Sequence, residues 1–189
     1  MIEGRPSVTA LRAATYRAQH QLLDRPLVFE DPLAARILAP TGPMQTPRLT
    51  AVRAFAVARS RFAEDKLAAA RVEGFTQYAI LGAGLDTFAY RNPQASLRVL
   101  EIDHPSTQAW KRTLLADAGI AIPATVTYVP VDFARQPLEE ELLRAGFDAS
   151  KPAFFSWLGV TPYLEEAAVL QTLAAIHALH PGNRITFDY

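Results

Sequence analysis

A chain of 189 residues, 50% of them hydrophobic, can bury a sizeable core and is expected to form one globular domain. Lysine plus arginine and aspartate plus glutamate both total 19, so formal net charge is zero and no long-range field favours nucleic acid or an anionic membrane as a partner. No cysteine is present, which excludes disulfides, thiolate metal sites and thiol nucleophiles, and without a membrane-length apolar run or a secretion signal the expected setting is cytoplasmic.

From Thr9 to about Asp24 the chain favours helix, after which Pro26, Pro32, Pro40, Pro43 and Pro47 interrupt it repeatedly. A second helix is predicted from about Ala51 to Val72, ending near Gly74. Residues 1–74 therefore read as an N-terminal helical cap with a linker helix. Beyond them the pattern changes. Short apolar strands are predicted at Tyr78 to Leu81, Leu97 to Ile102, Thr125 to Val131, Ala153 to Val160 and Arg184 to Tyr189. Helices are predicted between them at Thr107 to Ala118, Leu138 to Ala145 and Glu165 to Leu179, and Gly119, Gly146 and Pro181-Gly182 follow as stops. Strands alternating with helices imply right-handed crossovers and a parallel, doubly wound sheet over residues 75–189.

Ligands bind such sheets at the carboxyl ends of the strands. The first strand ends in LGAGLDT, where Gly82 and Gly84 allow a sharp turn and close approach of a ligand to backbone N–H groups. A dinucleotide fingerprint requires a third glycine, and Thr87 stands there instead. The second strand ends in EIDHP. An acid at this point can accept hydrogen bonds from both hydroxyls of a ribose, and strand alternation is expected to turn only one of Glu101 and Asp103 to the cleft. Asp103, nearer the strand end, is preferred; the alternative is a solvated charge or a cap for the helix after Pro105. After the third strand, Asp132 can receive an adenine amino group and Phe133 can pack near the ring.

Arg59 falls with Val52, Phe55 and Phe62 at three- and four-residue spacings, so it shares an apolar stripe where a charge needs a partner. The partner is either a ligand carboxylate, gripped by two hydrogen bonds, or an internal acid. Arg61 and Asp65, off that stripe, read as a surface pair of little energetic weight. His20, His104, His177 and His180 show no metal-ligand spacing, and no metal is expected. Only His104, beside Asp103, is placed to move a proton. Trp157 and Tyr163 are expected to pack in the core.

These motifs resemble the leucine carboxyl methyltransferase family of S-adenosylmethionine-dependent enzymes, in particular its large bacterial branch. EGRPSVTA, FEDPLAARIL, ARSRFAED, ILGAGLDTFAYR, EIDHPSTQAWKR, PVDF and FFSWLGVTPYL occur in the family order from residue 3 to 164. The resemblance implies a class I methyltransferase fold, Rossmann-like, with an N-terminal helical cap. It further implies that Arg59 holds the methionine carboxylate, that Gly82 and Gly84 lie under the methionine portion, that Asp103 holds the ribose, and that Asp132 and Phe133 contact adenine.

Two departures matter. Leu158 stands where some relatives carry a glutamate, so no role of that glutamate transfers. Family members are also usually longer, with more strands than this sequence supplies, so the sheet is expected to be incomplete: either the chain is a fragment, or a partner chain, a second copy among the candidates, completes the sheet at the edge strand Arg184 to Tyr189. The expected activity is methylation of oxygen on a small molecule or a carboxylate, with no catalytic residue assigned. The alternatives are a cofactor-binding module without turnover and a nicotinamide-dependent oxidoreductase, which Thr87 and the family resemblance disfavour.

Overall fold

The computed structural model of the protein describes residues 7–39, 50–91, 95–133 and 135–189. Pro40, Pro43 and Pro47, read above as helix breaks, lie outside the described residues, as do residues 3–6 of the first family motif. The chain divides into two compact units.

One unit consists of the described residues of Met1–Glu64, Gly84–Pro93 and Ser106–Pro123. Helix α1 (Val8–Leu23) opens on Ser7, whose side chain accepts the Ala10 N–H at 3.2 Å, so a serine cap satisfies one of the donors a helix start leaves unpaired. Helix α2 (Pro32–Leu38) falls where the prolines were read as a linker. The correction has a local cause. A proline in the first helical turn has no N–H to lose, and Asp31 before it accepts the Ala34 N–H at 3.0 Å, so Asp31-Pro32 starts a helix. Helices α1 and α2 pack together. Helix α3 (Thr50–Val72) extends through this unit and beyond it. Its buried face is Arg53, Ala56, Val57, Ser60 and Ala63, whereas Val52, Phe55 and Phe62 are 42%, 54% and 53% exposed. The expected stripe is thus the outward one: alanines and a serine, with Val57 and the paired Arg53, carry the buried face. The single turn α4 (Phe88–Arg91) and most of α5 (Pro105–Asp117) complete the unit.

The other unit, described residues of Asp65–Ala83, Gln94–Pro105 and Ala124–Tyr189, contains the whole sheet. Strands β1 (Gln77–Leu81), β2 (Arg98–Asp103), β3 (Val126–Pro130), β4 (Phe154–Trp157) and β5 (Arg184–Phe187) lie in the order β3-β2-β1-β4-β5, every pair parallel. The register sets Leu81 opposite both Ile102 and Trp157, and Trp157 opposite Phe187. Strands β1 and β4 are buried along their length, as expected where helices cover a parallel sheet and strands read as continuous apolar runs. One face carries Ala79, Leu81, Leu100, Ile102, Phe155 and Trp157, packed with Leu138 and Leu142 of α6 (Leu138–Arg144) and Ile176 and Leu179 of α7 (Glu166–Leu179). This is the doubly wound, Rossmann-like architecture expected from the alternation of elements. No described helix is long and apolar enough to cross a membrane.

Candidate functional site

Strand order runs outward from β1 through β2 to β3 and then restarts on the other side with β4 and β5. The chain therefore leaves β1 at the switch point, where neighbouring connections diverge and a crevice opens at the carboxyl edge of a sheet. Gly82 stands there with φ +65°, and the Ala83 N–H donates to the Ile102 carbonyl at 3.0 Å, tying the turn to β2. A Cβ on Gly82 would stand 2.5 Å from Val160 Cγ2, in the loop after β4. Glycine is thus required twice at this position, by the left-handed backbone and by the close approach of Val160. The loop carrying Val160 is itself held from β5: the Gly159 N–H donates to the Asp188 carboxylate at 2.6 Å, and the Thr161 hydroxyl donates to the Asp188 carbonyl.

Asp103 ends β2 at the same edge, 9% exposed, while Glu101 is fully buried. Leu100 and Ile102 face α6 and α7, so Glu101 and Asp103, two apart, share the opposite face. The expectation that alternation separates the two acids is therefore corrected; depth along the strand distinguishes them, and only Asp103 reaches the edge. One of its carboxylate oxygens, Oδ1, accepts the His104 N–H at 2.7 Å, and its carbonyl accepts the Val131 N–H at 2.9 Å, extending the β2 to β3 ladder to Val131, the residue before Asp132. The Asp132 N–H donates to Gln136 Oε1 at 2.9 Å, and Arg135 Nε lies 3.6 Å from its carboxylate. Phe133 is 37% exposed. Gly82, Asp103, Asp132 and Phe133 thus gather at the carboxyl edge. Trp157 is core, as expected, though its indole N–H has no acceptor among the described residues. Tyr163 is 71% exposed, contrary to the expected core packing: it sits in a short 3-10 turn, Thr161–Tyr163, from which only Thr161 is buried.

Gly84 and Arg59 belong to the helical unit. Gly84 has φ +47°. Arg59 is half-buried, with its guanidinium 5.6 Å from the centre of the Phe55 ring, a cation–π contact. Arg61 is exposed and donates to the Val28 carbonyl at 3.2 Å. His20 is structural: Val28 N–H can only donate, so His20 Nε2 accepts it at 3.2 Å, and Nδ1 faces Asp24 at 2.9 Å. Asp24 also receives both Nε and Nη2 of Arg53, at 2.9 and 2.7 Å.

The same unit holds an ionic cluster whose members, Arg17 apart, lie in the motifs without being announced by them. Asp31, fully buried, accepts from Arg17 Nε at 2.8 Å and Thr87 Oγ1 at 2.6 Å, with Arg91 Nε 3.2 Å away. Arg17 Nη2 donates to the Leu85 carbonyl at 2.7 Å, Arg91 Nε donates to Thr87 Oγ1 at 2.9 Å, and Arg91 also grips Glu64 through both terminal nitrogens. Burial by itself pushes Asp31 up, but the Arg17 and Arg91 charges and the Thr87 and Arg17 hydrogen bonds outweigh it, and its carboxyl lies below the ordinary range. Glu64 goes the other way, pushed up by burial and by the Asp86 and Asp31 carboxylates despite Arg91. Thr87, read above only as a missing glycine, bridges an acid and a guanidinium. The signal was present in FEDP, RFAED and DTFAYR as charged residues beside apolar ones, but single-sequence spacing cannot pair them. Among the described residues no group of acids and histidines could hold a metal ion.

A family model described as Leucine carboxyl methyltransferase matches residues 10–177. The "Putative S-adenosyl-L-methionine-dependent methyltransferase YktD" of Bacillus subtilis (strain 168) is 34% identical over an alignment covering 100% of this chain and 72% of that protein. A protein of Mycolicibacterium paratuberculosis (strain ATCC BAA-968 / K-10), named a "Putative S-adenosyl-L-methionine-dependent methyltransferase", is 34% identical over 96% of this chain and 61% of its own length. A crystal structure of the glycopeptide N-methyltransferase MtfA superposes with a TM-score of 0.46 at 19% identity, covering 84% of this chain and 61% of that one. The family match begins within α1 and closes within α7, and on that extent the chain belongs to the leucine carboxyl methyltransferase family.

Proposed function

We propose that the protein is an S-adenosylmethionine-dependent methyltransferase that methylates oxygen on a small molecule or a carboxylate. The observation that carries this reading is Asp103 at the end of β2, at one sheet edge with the turn at Gly82. The donor set suits the cofactor. A carboxylate can accept both ribose hydroxyls, Asp132 can accept an adenine amino group, and the half-exposed Phe133 ring offers an apolar contact. Arg59 supplies a planar fork that matches an amino-acid carboxylate. When bound, the cofactor supplies a methyl group made electrophilic by its sulfonium. The protein's part is to hold donor and acceptor in line, which by itself removes much of the barrier. A carboxylate acceptor carries no proton at neutral pH, so no general base is assigned.

Calorimetry with S-adenosylmethionine, S-adenosylhomocysteine and NAD tests the reading. The first two are expected to bind and NAD is not. Asp103→Ala is expected to weaken binding by about 1–3 kcal/mol through loss of charge-assisted hydrogen bonds. Folded wild-type protein that gives no heat with either S-adenosyl ligand overturns the assignment.

A further inference from the structure

The buried ionic cluster includes none of the residues proposed to hold the cofactor, yet it closes on the chain that leaves the glycine turn. Leu85 directly follows Gly84, and its carbonyl is taken by Arg17. Two residues on, Thr87 is taken by Asp31, and Arg91 at the end of α4 is held by Asp31, Glu64 and the Glu30 carbonyl. Three observations argue that this is more than packing. The turn is built on Gly82 and Gly84, both at positive φ and without side chains to restrain them. Helix α4 is four residues long, too short to keep its conformation unaided. Burying this many charges is costly, and replacing buried ion pairs by well-packed apolar residues is often neutral or stabilising, whereas guanidinium forks and a shared carboxylate fix direction.

We infer that Arg17, Asp31, Thr87 and Arg91 are positioning residues that hold Leu85 to Arg91 so that the turn before it keeps the shape the cofactor requires. The inference rests on the cofactor-binding reading of the site, and its test has a second readout that does not. The sharpest probe is Thr87, because Thr87→Val removes the hydroxyl that bridges Asp31 and Arg91 while preserving shape, and Thr87→Ser restores it. Arg17→Lys keeps the charge opposite Asp31 but cannot also hold the Leu85 carbonyl through a rigid fork. Arg144→Ala, which breaks an exposed pair with Glu141 on α6, is the control.

Two quantities are measured on the full chain: the dissociation constant for S-adenosylmethionine and hydrogen exchange of the 85–91 amides. Thr87→Val and Arg17→Lys are expected to weaken cofactor binding about tenfold, the scale of one good hydrogen bond. In the same variants the 85–91 amides should exchange about tenfold faster than in wild type while the sheet amides are unchanged. Thr87→Ser and Arg144→Ala should match wild type in both. Unchanged affinity and exchange in Thr87→Val and Arg17→Lys overturn the inference, as does faster exchange spread evenly over the chain, which would mark a purely structural cluster. If Thr87→Val fails to fold, Arg17→Lys decides by the same measures. Wild-type protein that binds no S-adenosylmethionine defeats the functional reading, and the exchange pattern alone then decides whether the cluster positions this segment.

Discussion

Gly82 shows how one position serves two demands. Its positive φ costs an L side chain roughly 1–2 kcal/mol, and the Val160 methyl stands where a Cβ would be. Gly82→Ala is therefore expected to lower stability by about 2–4 kcal/mol, backbone strain and overpacking together. Val160→Ala alone leaves a small void. Combined with Gly82→Ala it should recover the steric part and leave the strain, giving a favourable coupling of about 1–2 kcal/mol in a double-mutant cycle of denaturant melts. Strictly additive costs would show that Val160 moves aside freely and that strain is the whole effect.

At the scale of elements, the C-terminal end of α1 is joined to α3 through Asp24 and Arg53. The Arg53 hydrogen bonds, then that of His20, lower the Asp24 carboxyl from 3.8 to about 2. A depressed acid stabilises the fold fully above its unfolded value and loses that contribution as pH falls through the folded one. The window is thus about pH 4 down to about 2. Because Asp24 is partly solvated, the contribution is on the order of 1 kcal/mol. Thermal melts of wild type and Asp24→Asn should differ at pH 5 and converge toward pH 2. A constant difference across that range would mean that the pair does not stabilise the charged form. Helix α3 also shows how far pattern reading reaches: its span was anticipated to within a residue at each end, but its buried face was assigned to the large apolar residues rather than to the alanines that pack.

For the whole molecule, β5 bonds to β4 on one side, and among the described residues no strand lies on its other side. Backbone groups along such an edge are free to pair with a further strand. The alternation of strands and helices, their limits to within a few residues, the glycine turn and the acid at the end of β2 were all legible in the sequence. Each depends on residues close together in the chain: a short apolar run, a proline or glycine at a boundary, a fixed spacing from a strand end. What only the tertiary structure decided are the pairings across the chain, Asp31 with Arg17 and Arg91, Thr87 between them, and Val160 against Gly82. With 19 cations and 19 anions in the sequence, the pairs that meet are chosen by how helices and loops pack, and that choice leaves no periodic trace in the order of residues.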